Sequence, residues 1–165
     1  MNDSIKIDRM TAADREPVMA IFNYYIENSF AAYPEERLPL EAYDRMFEIS
    51  AGFPTAILRD ESNTVLGFGM LRPHKPIATF RHTAEAMYFL HPDSRGKGLG
   101  KLLLQHLQVE GAKQGITTLL ANVSSRNMQS LQFHKRNGFI QCGIFEAVGR
   151  KNNELFDTVW FQKMI

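Results

Sequence analysis

The amino-acid sequence predicts a mixed α/β fold of the α+β type. About seven mostly antiparallel strands and four helices are expected to form a single domain over residues 1–165. The chain is long enough for one sizeable core and short for two. Apolar patterns of strand and helix period follow one another in groups, and no repeat, low-complexity tract or linker interrupts them.

The first strand is predicted at residues 4–10, because Ile5 and Ile7 alternate with polar residues. Residues 11–14 offer a helix N-cap, and the helix that follows has one apolar face. This face consists of Val18, Ile21, Phe22, Tyr25 and Ile26. A polar, proline-flanked stretch then separates this helix from a second amphipathic helix at residues 40–49.

Three strands are predicted next. Residues 55–59 and 65–71 are apolar runs joined by a polar turn at residues 60–63, a pattern typical of a hairpin. Residues 83–90 form a third strand, which is apolar except at its start and at Glu85. These strands are expected to belong to one sheet.

The longest helix is predicted at residues 98–114, where leucines recur at helical spacing. A strand at residues 117–123 and a short helix at 128–136 follow, and strands at 139–148 and 156–163 close the chain. The resulting order is neither a doubly wound alternation nor a helix bundle.

Composition and charge exclude several classes of protein. The formal net charge is +1, whereas nucleic-acid-binding domains show a strongly basic surface. No apolar run approaches the ~20 residues that a membrane span needs, and residues 1–11 resemble neither a signal nor a transit peptide. The five histidines have no metal-ligand spacing. We therefore expect a cytoplasmic protein that binds no metal, nucleic acid or membrane.

The single cysteine, Cys142, forms no internal disulfide and lies in a predicted strand. No activating group adjoins it in sequence, so a buried structural thiol is expected rather than a nucleophile.

A glycine-rich, basic segment at residues 91–101 leads from a strand directly into the longest helix. Its glycines and cations are Arg95, Gly96, Lys97, Gly98, Gly100 and Lys101. The first N–H groups of a helix have no intrahelical acceptor, and the helix dipole places partial positive charge there. Because glycines also let an anion approach the backbone, the segment predicts a phosphate or pyrophosphate site.

Two nucleotide-binding patterns fail at this segment. The Walker A pattern, measured from Gly100 and Lys101, would need glycine where Arg95 stands and Ser or Thr where Leu102 stands. The dinucleotide fingerprint would need its third glycine at Lys101. A glycine-rich turn without a ligand remains the alternative.

The spacing of Arg95, Gly98 and Gly100 resembles the pyrophosphate loop of the GNAT superfamily of N-acetyltransferases. A second motif, from Asn127 to Phe139, is similar to the fourth helix of that family. Stretches at 21–33, 80–85 and 149–162 resemble its phosphinothricin acetyltransferase-like branch. The resemblance implies the GNAT fold, acetyl-CoA as co-substrate, homodimers and a small amino-acid-like acceptor such as phosphinothricin, methionine sulfoximine or methionine sulfone. It implies cofactor contacts at Tyr88, Phe89, Leu90, Arg95, Gly96, Lys97, Gly98, Leu99, Gly100, Lys101, Asn127 and Ser130.

Two residues are candidate catalytic groups. Glu85, in an otherwise apolar strand, is the candidate general base for the acceptor amine, directly or through water; an ion-paired glutamate is the alternative. His134 stands where many relatives carry a tyrosine that protonates the coenzyme A thiolate. Imidazole can also donate a proton near neutral pH, and a hydrogen-bonded structural histidine is the alternative.

Candidate acceptor-binding residues are Tyr33, Phe80, Arg81 and Thr83. The chain departs from the branch at Asn153, where glycine is usual, and at Leu155, where tryptophan is usual. We expect the change at Leu155 to reshape the acceptor pocket. Acetylation of another primary amine (an aminoglycoside, a polyamine or a peptide) and a non-catalytic coenzyme A sensor remain alternative functions.

Overall fold

A computed structural model of the chain describes residues 5–165. Its helices and strands are, in order, β1 (Lys6–Asp8), α1 (Arg15–Asn28), α2 (Ala42–Ile49), β2 (Thr55–Arg59), β3 (Val65–Pro73), β4 (Thr83–Leu90), α3 (Leu99–Lys113), β5 (Thr118–Ser124), α4 (Met128–Arg136), β6 (Ile140–Lys151) and β7 (Glu154–Met164). The predicted mixed sheet with four helices is confirmed within these residues. Residue 4, where the first strand was predicted to begin, lies outside them.

One sheet contains all seven described strands, in the order β1-β2-β3-β4-β5-β7-β6. Every neighbouring pair is antiparallel except β4 and β5, which run parallel. A parallel pair needs a crossover connection, and α3 lies between these two strands in the chain.

The parallel pair is joined over only part of its length. Residues 83–85 of β4 pair with residues 118–120 of β5, and the pairing ends there. Farther along, β4 remains paired with β3 up to Leu90, and β5 remains paired with β7 up to Ser124. The sheet is therefore continuous at one end and split into two halves at the other.

Apolar side chains pack on both faces of the sheet. On one face, leucines of α3 such as Leu103 and Leu107 pack with Leu58 and Leu71. On the other, α1 and α2 pack with alternate strand residues such as Ile57, next in the chain to Leu58. These two cores hold α3 and α1 on opposite sides of the split.

The hairpin between β6 and β7 turns at Asn152 and Asn153, whose φ angles are 51° and 61°. Asparagine tolerates the left-handed region better than other non-glycine residues. This explains how Asn153 replaces the glycine that is usual in the branch.

The outermost strand, β6, is exposed from residue 140 to residue 148. Cys142 is therefore exposed, and the expectation that its thiol is buried was wrong. A strand pattern indicates which residues share a face, but it does not show that the strand lies at the sheet edge. Within residues 5–165, no helix has both the length and the apolar character to cross a membrane.

Candidate active site

A cavity of about 740 Å³ occupies the split between β4 and β5. This volume is in the range of small-molecule and cofactor sites. At one end the lining includes Arg95, Gly100 and Ser130, and at the other it includes Tyr33 and Glu85. The cavity thus joins the start of α3 to the part of β4 that carries the candidate base.

The glycine-rich segment forms one end of this cavity. Gly96 and Gly98 have φ angles of 76° and 77°, a conformation that strongly favours glycine. The first intrahelical hydrogen bond of α3 is donated by Leu102 to the carbonyl of Gly98 at 3.2 Å. The N–H groups of the first three residues of α3, Leu99 to Lys101, therefore have no intrahelical acceptor and lie at the positive end of the helix dipole.

The predicted cofactor residues of this segment have different environments. Arg95 and Gly100 line the cavity, whereas Gly96, Lys97 and Lys101 are exposed beside it. Leu99 is buried in the core. Exposed cations around free helix N–H groups fit a pyrophosphate.

The edge of β4 forms the adjoining wall, where Tyr88, Phe89 and Leu90 line the cavity. The hydroxyl of Tyr25, on α1, donates a hydrogen bond to the carbonyl of Leu90 at 2.7 Å. Tyr25 also lines the cavity, whereas its helical spacing had indicated only a core position. Residues 86–90 of β4 have no pairing with β5. This stretch of the β4 edge is therefore open to the cavity.

Helix α4 contributes Asn127 and Ser130. The side-chain oxygen of Asn127 accepts a hydrogen bond from the backbone N–H of Ser130 at 3.2 Å, which makes Asn127 the N-cap of α4. Both residues also line the cavity. Asn127 therefore caps α4 and also lies on the wall of the cavity.

His134 is buried, with 3% of its surface exposed, and lies against the cavity. Its Nδ1 is 2.7 Å from the carbonyl oxygen of Ser130, and its Nε2 is 2.5 Å from the hydroxyl of Tyr88. A carbonyl oxygen only accepts, so we assign the proton to Nδ1. Burial lowers the pKa of His134, although the bond to Ser130 opposes this shift. The neutral ring therefore accepts from Tyr88 at Nε2.

Glu85 lines the cavity and has two side-chain partners. Arg72 donates from Nε and Nη2 to Oε2 at 3.1 and 2.7 Å, and Nδ1 of His74 is 2.9 Å from Oε1. A carboxylate has about four acceptor positions, so these three contacts leave room for one more donor. Glu85 is ion-paired and also accessible from the cavity.

Tyr33 closes the end of the cavity beyond Glu85. Its ring stacks on Phe156 with the centroids 5.4 Å apart, and its hydroxyl donates to the side-chain oxygen of Asn122 on β5. Burial raises the pKa of Tyr33 to about 12, so the hydroxyl stays protonated near neutrality. Asn122 and its cross-strand neighbour Trp160 both line the cavity.

The other three predicted acceptor residues lie outside the lining of this cavity. Phe80 packs edge-on against His74 at 5.9 Å, Arg81 is exposed, and Thr83 is buried where β4 pairs with β5. Leu155 is about half exposed and does not line the cavity, so the expected reshaping of the pocket is not found.

Asn122 and Trp160 are cavity residues that sequence reasoning missed, and Arg72 is one that it set aside as solvated. Asn122 carried a usable signal, because it is a polar residue amid the apolar positions of a central strand, as Glu85 is. For Arg72, a solvated position is the usual fate of arginine, and only the contact with Glu85 distinguishes it.

A sheet that opens between two parallel strands, with a glycine-rich helix start at the opening, defines the class of acyltransferases that use a coenzyme A thioester. The chain belongs to the acetyltransferase (GNAT) family, whose family model matches residues 18–139. It is an enzyme, an N-acetyltransferase of the GNAT type.

Individual relatives agree with this assignment. An L-methionine sulfoximine/L-methionine sulfone acetyltransferase of Pseudomonas aeruginosa is 32% identical over 152 residues, which cover 91% of this chain and 88% of the relative. The crystal structure of a phosphinothricin acetyltransferase (Pat) from Sinorhizobium meliloti with acetyl-CoA is 26% identical, covers 98% of this chain and 88% of that one, and has a TM-score of 0.91. A ribosomal-protein-alanine N-acetyltransferase from Brucella melitensis is 30% identical, covers 97% and 99%, and has a TM-score of 0.90.

Proposed function

We propose that this enzyme transfers the acetyl group of acetyl-CoA to the amine of a small amino-acid-like acceptor of the phosphinothricin, methionine sulfoximine or methionine sulfone type. The observation that carries the proposal is one cavity with the free N–H groups of a helix start at one end and an Arg72–Glu85 ion pair toward the other. The names of the Pseudomonas and Sinorhizobium relatives point to the same acceptors.

Acetyl-CoA would supply an activated acetyl group as a thioester. The residues fit its two chemically distinct parts. Free N–H groups at the start of α3, with Arg95, Lys97 and Lys101 nearby, suit the pyrophosphate. The unpaired edge of β4 and the N-cap region of α4, with Asn127 and Ser130, suit an amide-containing arm.

Glu85 is the proposed general base. An amine must be unprotonated to attack a carbonyl carbon, and Glu85 can accept its proton at the carboxylate position that Arg72 and His74 leave free. The same carboxylate attracts the ammonium form of the acceptor before the proton is removed. Backbone N–H groups on the unpaired edge of β4 are the proposed donors to the thioester carbonyl.

His134 is the proposed source of the proton for the departing thiolate. In the neutral form its Nε2 accepts from Tyr88, so it must take up a second proton before it can donate. Because burial lowers the pKa of His134, this form is scarce near neutrality. The acid step is therefore expected to contribute less to the rate than removal of the amine proton.

Arg72 is the proposed partner of an acceptor carboxylate. Its side chain is 43% exposed, it lines the cavity, and Glu85 engages only its Nε and Nη2. Tyr33 is proposed to bound the acceptor at the far side, and Phe80 to act indirectly through its contact with His74. Arg81 and Thr83 would then support the start of β4.

The test is a panel of acceptors with acetyl-CoA, followed by detection of the free thiol. Phosphinothricin, methionine sulfoximine and methionine sulfone are expected to be acetylated with the highest kcat/KM. A peptide with N-terminal alanine is included, because the Brucella relative has that type of acceptor in its name. A flat response to the amino-acid analogues would contradict the proposed acceptor class. Acetyl-CoA binding without turnover would contradict catalysis.

We also propose a homodimer that buries the outer strand β6. Its residues 140–148 are exposed and include Ile140, Ile144, Phe145 and Val148. An exposed edge strand with apolar side chains favours pairing with another copy. Sedimentation at micromolar concentration should give the mass of two chains; a monomer would contradict this.

A further inference from the structure

We infer that Lys151 is a positioning residue for acetyl transfer, which holds the acceptor end of the cavity through residues 29–34. We call these residues the strap. The strap follows α1 and includes Ser29, Ala31, Ala32, Tyr33 and Pro34, all of which line the cavity. The inference rests on the proposed function only for the choice of acceptor.

Lys151 lies at the end of β6 and is 1% exposed. Its Nζ donates three hydrogen bonds of 2.7 Å, to the carbonyl oxygens of Ile26, Ser29 and Ala32. The first acceptor belongs to the last turn of α1, and the other two belong to the strap. An ammonium group has three donors, so all of them are used by this one segment.

The contact between the Lys151 ammonium group and these three carbonyl oxygens is electrostatically favourable. The last carbonyl groups of a helix carry partial negative charge and have no intrahelical donor. Lys151 satisfies one of these groups and two further carbonyls of the strap at the same time. Burial lowers the pKa of Lys151, and attraction to Glu35 opposes this shift. A neutral side chain of the same length would leave three carbonyl groups without this donor.

The same hairpin supports the strap from a second direction. Phe156 of β7 contacts the rings of Phe30 and Tyr33, with centroid distances of 5.7 and 5.4 Å. Its own ring occupies the space above Gly149, where an added Cβ would lie 2.1 Å from the ring. The β6–β7 hairpin therefore holds both the backbone of the strap and the Tyr33 side chain.

This hairpin lies far from the strap in sequence, since Lys151 and Ala32 are 119 positions apart. The Tyr33 hydroxyl reaches Asn122 across the cavity, so a displaced strap would move that contact and open the acceptor end. The cofactor end is formed by α3, α4 and the edge of β4, none of which Lys151 contacts through its hydrogen bonds. Loss of the Lys151 ammonium should thus affect the acceptor selectively.

The test compares Lys151→Met with Lys163→Met. Lys163 is a matched control, because its Nζ donates to a carbonyl at the end of another helix, that of Asn137 at 2.8 Å, and the residue does not line the cavity. Lys151→Met should raise the KM for the acceptor by about tenfold or more and change the KM for acetyl-CoA by less than about twofold. Lys163→Met should leave the acceptor KM unchanged.

Chemical rescue separates a charge effect from a general loss of stability. In a Lys151→Cys, Cys142→Ser variant, the remaining thiol is alkylated in denaturant with 2-bromoethylamine, which restores an ammonium group, or with propyl iodide, which gives a neutral side chain of the same length. After refolding, only the ammonium form should recover the wild-type acceptor KM. The comparison of these two alkylated proteins also tests the role of the Lys151 ammonium group if the Lys151→Met variant does not fold.

A readout without turnover keeps this inference independent of the proposed function. Hydrogen exchange of the backbone amides in residues 29–34 should be faster in Lys151→Met and unchanged in Lys163→Met. Four results would each overturn the inference for Lys151. The acceptor KM of Lys151→Met could be unchanged, or it could change by the same factor as the KM for acetyl-CoA. The two alkyl groups could rescue the variant equally, or hydrogen exchange in the strap could be unchanged. If only the ammonium form folds, Lys151 serves the whole domain, which also overturns it.

Discussion

The hydroxyl of Tyr88 donates a hydrogen bond to Nε2 of His134, with the two atoms 2.5 Å apart. The direction follows from the other ring nitrogen, which gives its proton to the carbonyl of Ser130. Burial raises the pKa of Tyr88 and lowers that of His134, so both groups are neutral near pH 7. In its neutral form, His134 is thus a hydrogen-bond acceptor at Nε2.

Protonation of His134 should couple to stability. A histidine whose folded pKa lies below the unfolded value of 6.5 binds fewer protons when folded, so the free energy of unfolding falls as pH decreases below about 6.5. The free energy of unfolding should show no further decrease from His134 once the pH lies below the pKa of this residue in the folded protein. His134→Gln removes this titration, and chemical denaturation between pH 5 and 8 should show a flatter pH dependence than in the wild type.

The other four histidines are present in both proteins, so only the difference between the two curves is informative. Parallel curves for wild type and His134→Gln would show that His134 is not held neutral by burial.

Glu85→Gln should lower kcat by a factor of about 10² to 10⁴ at neutral pH, because the amide cannot accept the amine proton. Glu110→Gln is the matched control. Glu110 is also ion-paired, with Lys113 at 2.6 Å, but it lies on the surface of α3. Steady-state rates at saturating acetyl-CoA give the comparison. Near-normal turnover of Glu85→Gln would exclude the base and leave the ion pair with Arg72 as its role.

Gly98→Ala should weaken acetyl-CoA binding. An added Cβ at Gly98 meets nothing within 4 Å, but its φ of 77° costs a non-glycine residue about 1–2 kcal/mol. Gly115, with a φ of 83° and equally open space at the other end of α3, provides the control. Both alanine variants should lose similar stability by thermal unfolding. Only Gly98→Ala should raise the KM for acetyl-CoA; an equal change in both would argue against a pyrophosphate site at residues 95–101.

Tyr33→Phe removes the hydrogen bond to Asn122 and retains the stacking on Phe156. A net loss of about 0.5–1.5 kcal/mol corresponds to an acceptor KM about two- to tenfold higher. Asn122→Ala should have a comparable effect. The double variant should be no worse than the more affected single one, because both remove the same contact. Fully additive effects would mean that the two residues act independently.

Much of the fold could be predicted because its signals are local. The strands at 55–59 and 83–90 and the helix at 128–136 have the predicted bounds. Other ends moved by one to three residues, as β6 did when it continued to Lys151. Alternation of apolar residues and helix caps depend on neighbours in the chain, so one sequence is sufficient to read them.

Side-chain partners were less predictable. Glu85 attracted attention as a polar residue in an apolar strand, yet its pairing with Arg72 depends on the antiparallel register of β3 and β4, which places these two residues opposite each other. Leu155 was expected to shape the acceptor pocket. The structure instead exposes Leu155 and turns its neighbour Phe156 toward Tyr33, since successive strand residues face opposite sides.

The glycine-rich helix start at residues 95–101 was evident from the sequence alone, because backbone conformation, helix dipole and charge are all properties of one short segment. The contacts at the Tyr33 end of the cavity were decided only by the tertiary structure. Tyr33, Asn122 and the hairpin that carries Lys151 and Phe156 lie in three separate parts of the chain, and the order of strands in the sheet brings them together. Contacts between such distant residues depend on strand order and register, which no local pattern specifies.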